Sequence, residues 1–213
     1  QQYYTVSDGA FDISMGAVLN VWHSYREQAI ADNEFNPVGP VPSYAELKAA
    51  DAYTGMNHIH IDAEASTVYI DNKGTSLDVG GIAKGYATEK VALYLEAQGL
   101  SSAAINAGGN VRTIGVKPGN QPWVIGIAKP DGTSAEIDTF NLPGSMAYVT
   151  SGDYQRYYIG TDGKRYSHIV DPATLYPATN FRSVTVVTKN SALADPLTKA
   201  IIMKSYADGL TFI

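Results

Sequence analysis

The chain has 213 residues, 45% of apolar type and 17% charged, which allows a sizeable core in one large domain and is too hydrophobic for a disordered segment. Fifteen Lys and Arg against 21 Asp and Glu give a formal charge of -6, and with no basic run anywhere nucleic acid is an unsuitable partner. Cysteine is absent, which excludes a disulfide framework, a thiolate nucleophile and any Cys-ligated metal, and no stretch nears the roughly 18 apolar residues of a membrane span.

Ile13, Met15, Val18, Leu19, Val21, Trp22 and Tyr25 keep helical spacing after Ser7-Asp8-Gly9 and predict a first amphipathic helix. Residues 31–43, with Pro37, Gly39, Pro40 and Pro42, read as a loop. Ser43-Tyr44-Ala45-Glu46 then reads as a capping box opening a short helix that Gly55 closes. Alternation in His58-Ile59-His60-Ile61-Asp62 and Thr67-Val68-Tyr69-Ile70-Asp71 predicts two strands with one wet face. Beyond the glycines at 80 and 81, Ala83, Ala87, Val91, Tyr94 and Leu95 keep helical spacing up to Gly99, a residue suited to a left-handed C-cap. Ala103-Ala104-Ile105-Asn106 and the stretches 123–128, 136–142, 146–150, 154–159 and 184–188 predict strands, most economically joined as antiparallel meanders. Asp195-Pro196 predicts the cap and first position of a final helix reaching about Tyr206.

Four stretches carry residues able to do chemistry. In Leu77-Asp78-Val79-Gly80-Gly81-Ile82-Ala83-Lys84-Gly85-Tyr86-Ala87 the glycine pair allows close backbone approach, and the following helix aims N–H groups at an anion. Lys84 adds a full charge there and Asp78 is able to accept from a ribose or a base amide. The spacing is neither the dinucleotide fingerprint nor the P-loop, so a simple tight turn stays open as the alternative. Asn106-Ala107-Gly108-Gly109-Asn110 is a second glycine pair after a strand, read as another phosphate contact or as a hairpin turn. Downstream of Thr150-Ser151-Gly152-Asp153-Tyr154, the stretch Tyr166-Ser167-His168-Ile169-Val170-Asp171-Pro172 offers His168 as a general base oriented by Asp171, or as a half-buried strand histidine. In Ala194-Asp195-Pro196-Leu197-Thr198-Lys199, Asp195 and Thr198 share a helix face and offer hard oxygen to Mg²⁺. The alternatives are a capping role for Asp195 and an ordinary i, i+4 pair with Lys199. His58 and His60, with no third ligand in evidence, read as surface residues.

Taken in this order, the segments resemble the ApbE family, the FAD:protein FMN transferases, over nearly the whole chain. Ser7-Asp8-Gly9-Ala10-Phe11-Asp12 with Gly16 and Trp22 is similar to the family's opening motif, residues 77–87 to its glycine-rich motif, and residues 106–109, 150–154 and 168–172 to the motifs that follow. The resemblance implies a single α+β domain over 1–213, T-fold-like, of antiparallel sheets packed with helices. It implies FAD contacts from Ala10, Phe11, Asp12, Asp78, Lys84 and Val170, Mg²⁺ held by the Gly81 carbonyl with Asp195 and Thr198, and His168 as the catalytic base. FAD is then a substrate. Its FMN passes to a Ser or Thr hydroxyl in the flavinylation motif of an acceptor protein, a respiratory or extracytoplasmic electron-transfer subunit, and AMP is released.

The resemblance further implies an extracytoplasmic place, with a lipid anchor in the full-length protein, and a chain truncated at both family ends. Two departures stand out. Lys199 occupies the position where the family usually has Thr, four residues after the Asp, and Leu175 follows Thr174 where the family usually has Gly. The same residues admit two rivals, an FAD pyrophosphatase giving FMN and AMP, and a non-catalytic flavin-binding protein in which Lys199 replaces the metal.

Overall fold

The computed structural model describes residues 1–213. In chain order the elements are α1 (Gln2–Val6), α2 (Gly16–Asp32), β1 (Val38–Gly39), α3 (Tyr44–Asp51), β2 (Ile59–Asp62), β3 (Thr67–Ile70), α4 (Ala83–Ala97), β4 (Ser102–Asn106), β5 (Asn110–Gly115) and β6 (Ile125–Ala128). They continue with β7 (Glu136–Phe140), β8 (Ala147–Gly152), β9 (Tyr157–Gly160), β10 (Arg165–Ser167), β11 (Ser183–Thr188), α5 (Ser191–Ile202) and α6 (Tyr206–Phe212). The class is α+β with antiparallel sheets and packed helices, as expected. No helix is long and apolar enough to cross a membrane. The chain forms two compact units, Gln1–Val79 with Gln155–Ala178, and Gly80–Tyr154 with Thr179–Ile213.

The first unit is built around α2, whose Val18, Trp22 and Ala29 join Met15, Leu47, Tyr158, Val170 and Leu175 in one buried cluster. Trp22 anchors it twice: its indole N–H donates to the Leu175 carbonyl at 2.8 Å, and its ring stacks on Tyr166 with centroids 5.2 Å apart. The helix starts at Gly16, three residues later than the spacing of Ile13 suggests. The reason lies outside the segment, because Met15 bridges Ser76 and a Cβ at Gly16 would lie 2.3 Å from the Ser76 carbonyl oxygen.

The expected loop 31–43 contains β1, which pairs in parallel with β9, Val38 opposite Ile159. This pairing is non-local and leaves no periodic trace in two residues. The capping box forms as read, Ser43 Oγ accepting the Glu46 N–H at 3.2 Å, but α3 stops at Asp51, short of Gly55. Strands β2 and β3 pair as predicted, Ile59 with Ile70 and Asp62 with Thr67. Ile59 on their apolar face is buried, but Ile61 and Val68 further along it are exposed. Beside this hairpin Asp71 is clasped between His58 Nδ1 and His60 Nε2, both at 2.7 Å. The hydrogen bonds from His60 and His58 hold its carboxyl below the usual carboxylate range.

The second unit holds a four-stranded antiparallel sheet in the order β11-β8-β5-β4, and a separate ribbon of β6 and β7. Helices α4 and α5 pack on each other and on this sheet. Their contact needs Gly85, where a Cβ would lie 2.4 Å from the Ser191 carbonyl oxygen and 2.5 Å from Asp195 Cβ. Beneath α4, Glu89 forms a forked pair with Arg112 of β5 (Nε to Oε2 3.1 Å, Nη2 to Oε1 3.3 Å) and accepts the Ser191 N–H at 2.7 Å.

Asp195 is not the cap of the last helix. Asn190 is, its side chain accepting from the N–H groups of Ala192 and Leu193, so Asp195 and Pro196 lie inside α5. That helix ends at Ile202, and α6 begins afresh with Ser205 capping Asp208, where one helix to Tyr206 was expected.

Candidate functional site

The residues of interest fall into two groups, one in each unit. In the first, Asp12 closes a turn before α2: Oδ1 accepts the Ser14 N–H at 2.7 Å and the Ser14 hydroxyl at 2.6 Å. Ser14 Oγ accepts in turn from the Gly55 N–H at 2.9 Å. Phe11 is buried, donates its N–H to Ser7 Oγ at 2.9 Å and meets Tyr3 edge-on; Ala10 beside it is half-buried. Asp78 is exposed and joins this turn by donating its N–H to the Ile13 carbonyl at 2.8 Å. Residues 10–12 and 78, remote in sequence, are thus brought together.

His168 follows β10 and is half-buried. Its backbone N–H donates to the Arg156 carbonyl at 3.0 Å, and its Nδ1 lies 3.3 Å from the same oxygen. A carbonyl only accepts, so Nδ1 carries the hydrogen and the neutral ring has its lone pair on Nε2. Asp171, expected to orient the ring, accepts the Ala173 N–H on Oδ1 at 2.9 Å, and its backbone closes a turn with Leu175 and Tyr176. Val170 is packed in the core with Met15, and its main chain bridges Pro177. Leu175 has φ 64°, a left-handed conformation that a glycine adopts without strain.

In the second unit, Gly81 is half-buried and Lys84 is exposed at the start of α4, its Nζ 3.4 Å from the Gly80 carbonyl oxygen. Helix α4 has no side-chain cap of its own. Asp195 supplies one from α5: Oδ2 accepts the Gly85 N–H at 2.8 Å, placing a carboxylate at the positive end of α4. The other carboxylate oxygen is paired with Lys199 Nζ. Thr198 donates to the Asp195 carbonyl at 2.7 Å and shares a 2.6 Å hydrogen bond with Ser151 Oγ. Asp195 and Thr198 are fully buried, and the Lys199 side chain is 13% exposed. Burial pushes the Lys199 ammonium below its ordinary range; Asp195 opposes the fall and Lys84 adds to it. Gly85 and Ser151, both within motifs read as chemical, hold Asp195 and Thr198, roles that depend on the packing of α5 against α4 and against β8 and have no signal in the sequence.

The profile of the ApbE family matches residues 1–213. The chain belongs to the ApbE family. Similar to this ApbE chain is the FAD:protein FMN transferase of Vibrio cholerae serotype O1, 35% identical over 206 residues, 96% of this chain and 58% of the relative. That of Treponema pallidum is 33% identical over 214 residues, 94% of this chain and 56% of the relative. The crystal structure of the ApbE protein from Thermotoga maritima superimposes with a TM-score of 0.84 at 36% identity, covering 99% of this chain and 65% of that one. The flavin transferase ApbE from Vibrio cholerae gives 0.79 at 33% identity, covering 99% and 64%. The chain therefore spans less than two thirds of the length of these relatives.

The Mg²⁺ ligands that the resemblance implies, Gly81, Asp195 and Thr198, do not fit a divalent cation as they stand in this ApbE chain. Mg²⁺ needs about six oxygen ligands at roughly 2.0–2.1 Å. Both Asp195 oxygens are engaged, one by an N–H and one by an ammonium, and the Thr198 hydroxyl is committed to Asp195 and Ser151. No group of three or more His, Cys, Asp and Glu is arranged to hold a metal ion.

Proposed function

We propose that this chain carries out flavin transfer of the kind named for its relatives, moving FMN from FAD to a Ser or Thr hydroxyl of an acceptor protein. The observation that carries the reading is the tie of His168 Nδ1 to the Arg156 carbonyl, because it leaves the basic lone pair on Nε2. The acceptor oxygen attacks the FMN-side phosphorus and forms the new O–P bond while His168 Nε2 takes its proton. The bond from that phosphorus to the bridging oxygen breaks, and the oxygen leaves with AMP. Such transfers rest on positioning and charge neutralisation more than on covalent work.

Around that step, residues 10–12 and Asp78 would seat the flavin nucleotide, with Val170 offering its main chain. Lys84 would neutralise phosphate charge beside the glycine pair. Magnesium dependence is the part of the family's chemistry that the donor set speaks against, and no step here uses the metal. We further propose an extracytoplasmic setting, a lipid anchor in the full-length protein, and an electron-transfer subunit as acceptor, all on the ground of family membership.

The test incubates the protein with FAD and an acceptor bearing a flavinylation motif, with and without Mg²⁺, and follows flavin fluorescence on the acceptor and AMP release. Wild type should label the acceptor. His168→Ala should slow labelling by about 10²–10⁴-fold, the usual worth of a general base, with FAD binding retained. FMN and AMP released without acceptor would select a pyrophosphatase, and tight FAD binding without turnover a flavin-binding protein. Equal labelling by the variant would remove His168 from the mechanism.

A further inference from the structure

We infer that Lys199 is a built-in cation standing in place of a divalent metal at Asp195, so that this chain binds and uses its flavin nucleotide without Mg²⁺. The inference rests on the proposed flavin chemistry for its second half only; its first half, the exclusion of the metal, concerns Asp195 and its neighbours alone.

Asp195 is fully buried and both of its oxygens have partners, the Gly85 N–H at 2.8 Å and the Lys199 ammonium one helical turn further along α5. An ammonium has three hydrogens to donate and no lone pair, so it balances the carboxylate and cannot ligate a metal. A Mg²⁺ ion seeking Asp195 would have to displace that ammonium from a site where the Lys199 side chain is only 13% exposed. The displaced charge would then sit buried beside the ion that displaced it, an arrangement that low-dielectric surroundings penalise heavily. The hydroxyl next in line is already engaged twice, since Thr198 Oγ1 donates to the Asp195 carbonyl at 2.7 Å and is bonded to Ser151 at 2.6 Å, so a metal would compete with both bonds for its oxygen.

What remains is a fixed positive charge on α5 whose other ammonium hydrogens are chemically suited to phosphate oxygen. A second cation, Lys84, stands at the start of α4, the helix whose Gly85 is bonded to Asp195. A metal would supply two charges through exchangeable ligands; here the charge is covalently part of the chain and its occupancy does not depend on ion concentration.

The experiment titrates the protein with Mn²⁺, a spectroscopic substitute for Mg²⁺, and reads bound ion by electron paramagnetic resonance without flavin present. Wild type should show no stoichiometric site up to millimolar Mn²⁺, whereas Lys199→Thr should acquire one. In parallel, FAD binding followed by quenching of flavin fluorescence should be unchanged in wild type by EDTA or by Mg²⁺. In Lys199→Thr, affinity should fall at least tenfold in EDTA and recover with Mg²⁺. A stoichiometric Mn²⁺ site in wild type, or none in a folded Lys199→Thr, overturns the inference. Should that variant fail to fold, the wild-type Mn²⁺ titration decides alone. If wild type binds neither Mn²⁺ nor FAD while Lys199→Thr gains Mn²⁺, the metal exclusion stands and it is the flavin reading that fails.

Discussion

At Leu175 and Glu89 single side chains hold geometries that carry an energetic penalty unless their surroundings support them. Leu175 adopts φ 64° and is 3% exposed. A left-handed conformation costs a non-glycine residue about 1–2 kcal/mol, while burying a leucine side chain contributes about 1.5–3 kcal/mol, so the core contact outweighs the strain and the loop keeps the shape a glycine would give it. Glu89 and Arg112 are both nearly inaccessible, at 8% and 4% of side-chain surface. Removing one partner of such a pair leaves a buried charge uncompensated and costs about 3–5 kcal/mol, whereas replacing both by apolar groups is often close to neutral. Arg112 also reaches Glu96 Oε1 at 3.6 Å and keeps that carboxylate if Glu89 is lost, so it is Arg112→Met that should lose about 3–5 kcal/mol in urea unfolding, and Glu89→Leu with Arg112→Met much less. A single variant as stable as the double would show that the pair does not carry its charge in a dry site.

Among the elements, the α4–α5 contact is the one most sensitive to a methyl group. Gly85→Ala gains up to about 1 kcal/mol of helix propensity, but its Cβ would lie 2.4 Å from backbone oxygen of Ser191, and overpacking of that kind costs about 1–3 kcal/mol. The net effect should be a lowered unfolding midpoint, together with weakened Asp195 anchoring; a raised midpoint would mean that the helices separate without penalty. Elements whose signal is local could be read from the chain. The capping box at Ser43, the β2–β3 pair and the spacing of α4 all stand where alternation or a cap marks them. Those made by distant partners could not: β1 exists through β9, and the start of α2 through Ser76. Asp195 shows the same division at the site. Its pairing with Lys199 follows from a four-residue spacing on one helix, but its role as the cap of α4 needs Gly85 and the fold. His168 stands out as a titratable residue beside a hydroxyl and a carboxylate, while its partner Arg156 lies in the bend before β9 with nothing to announce it.

On the scale of the whole molecule, each unit is assembled from two separate segments of chain. Either unit, folding alone, must close a long flexible loop formed by part of the other, and closing a loop of that length costs on the order of 4 kcal/mol in chain entropy. Once one unit is ordered, that loop is already closed for the other, so the two should unfold together through connectivity alone. Trp22 lies in the first unit and Trp123 in the second. Trp123→Phe and Trp22→Phe therefore give separate fluorescence reporters, which should return coincident urea midpoints after correction for each variant's own stability. Midpoints that stay apart would show that the loop term is too small to link the units.

The segmented layout also governs how the chain first reaches its native state. Val18, Trp22 and Leu47 share their core with Tyr158, Val170 and Leu175, which emerge much later from any machine that delivers the chain amino end first. At about 5–20 residues per second, roughly 4–15 s pass between completion of the early segment and arrival of its cover. Through that interval the early half of a tryptophan-centred core waits without the residues that cover it.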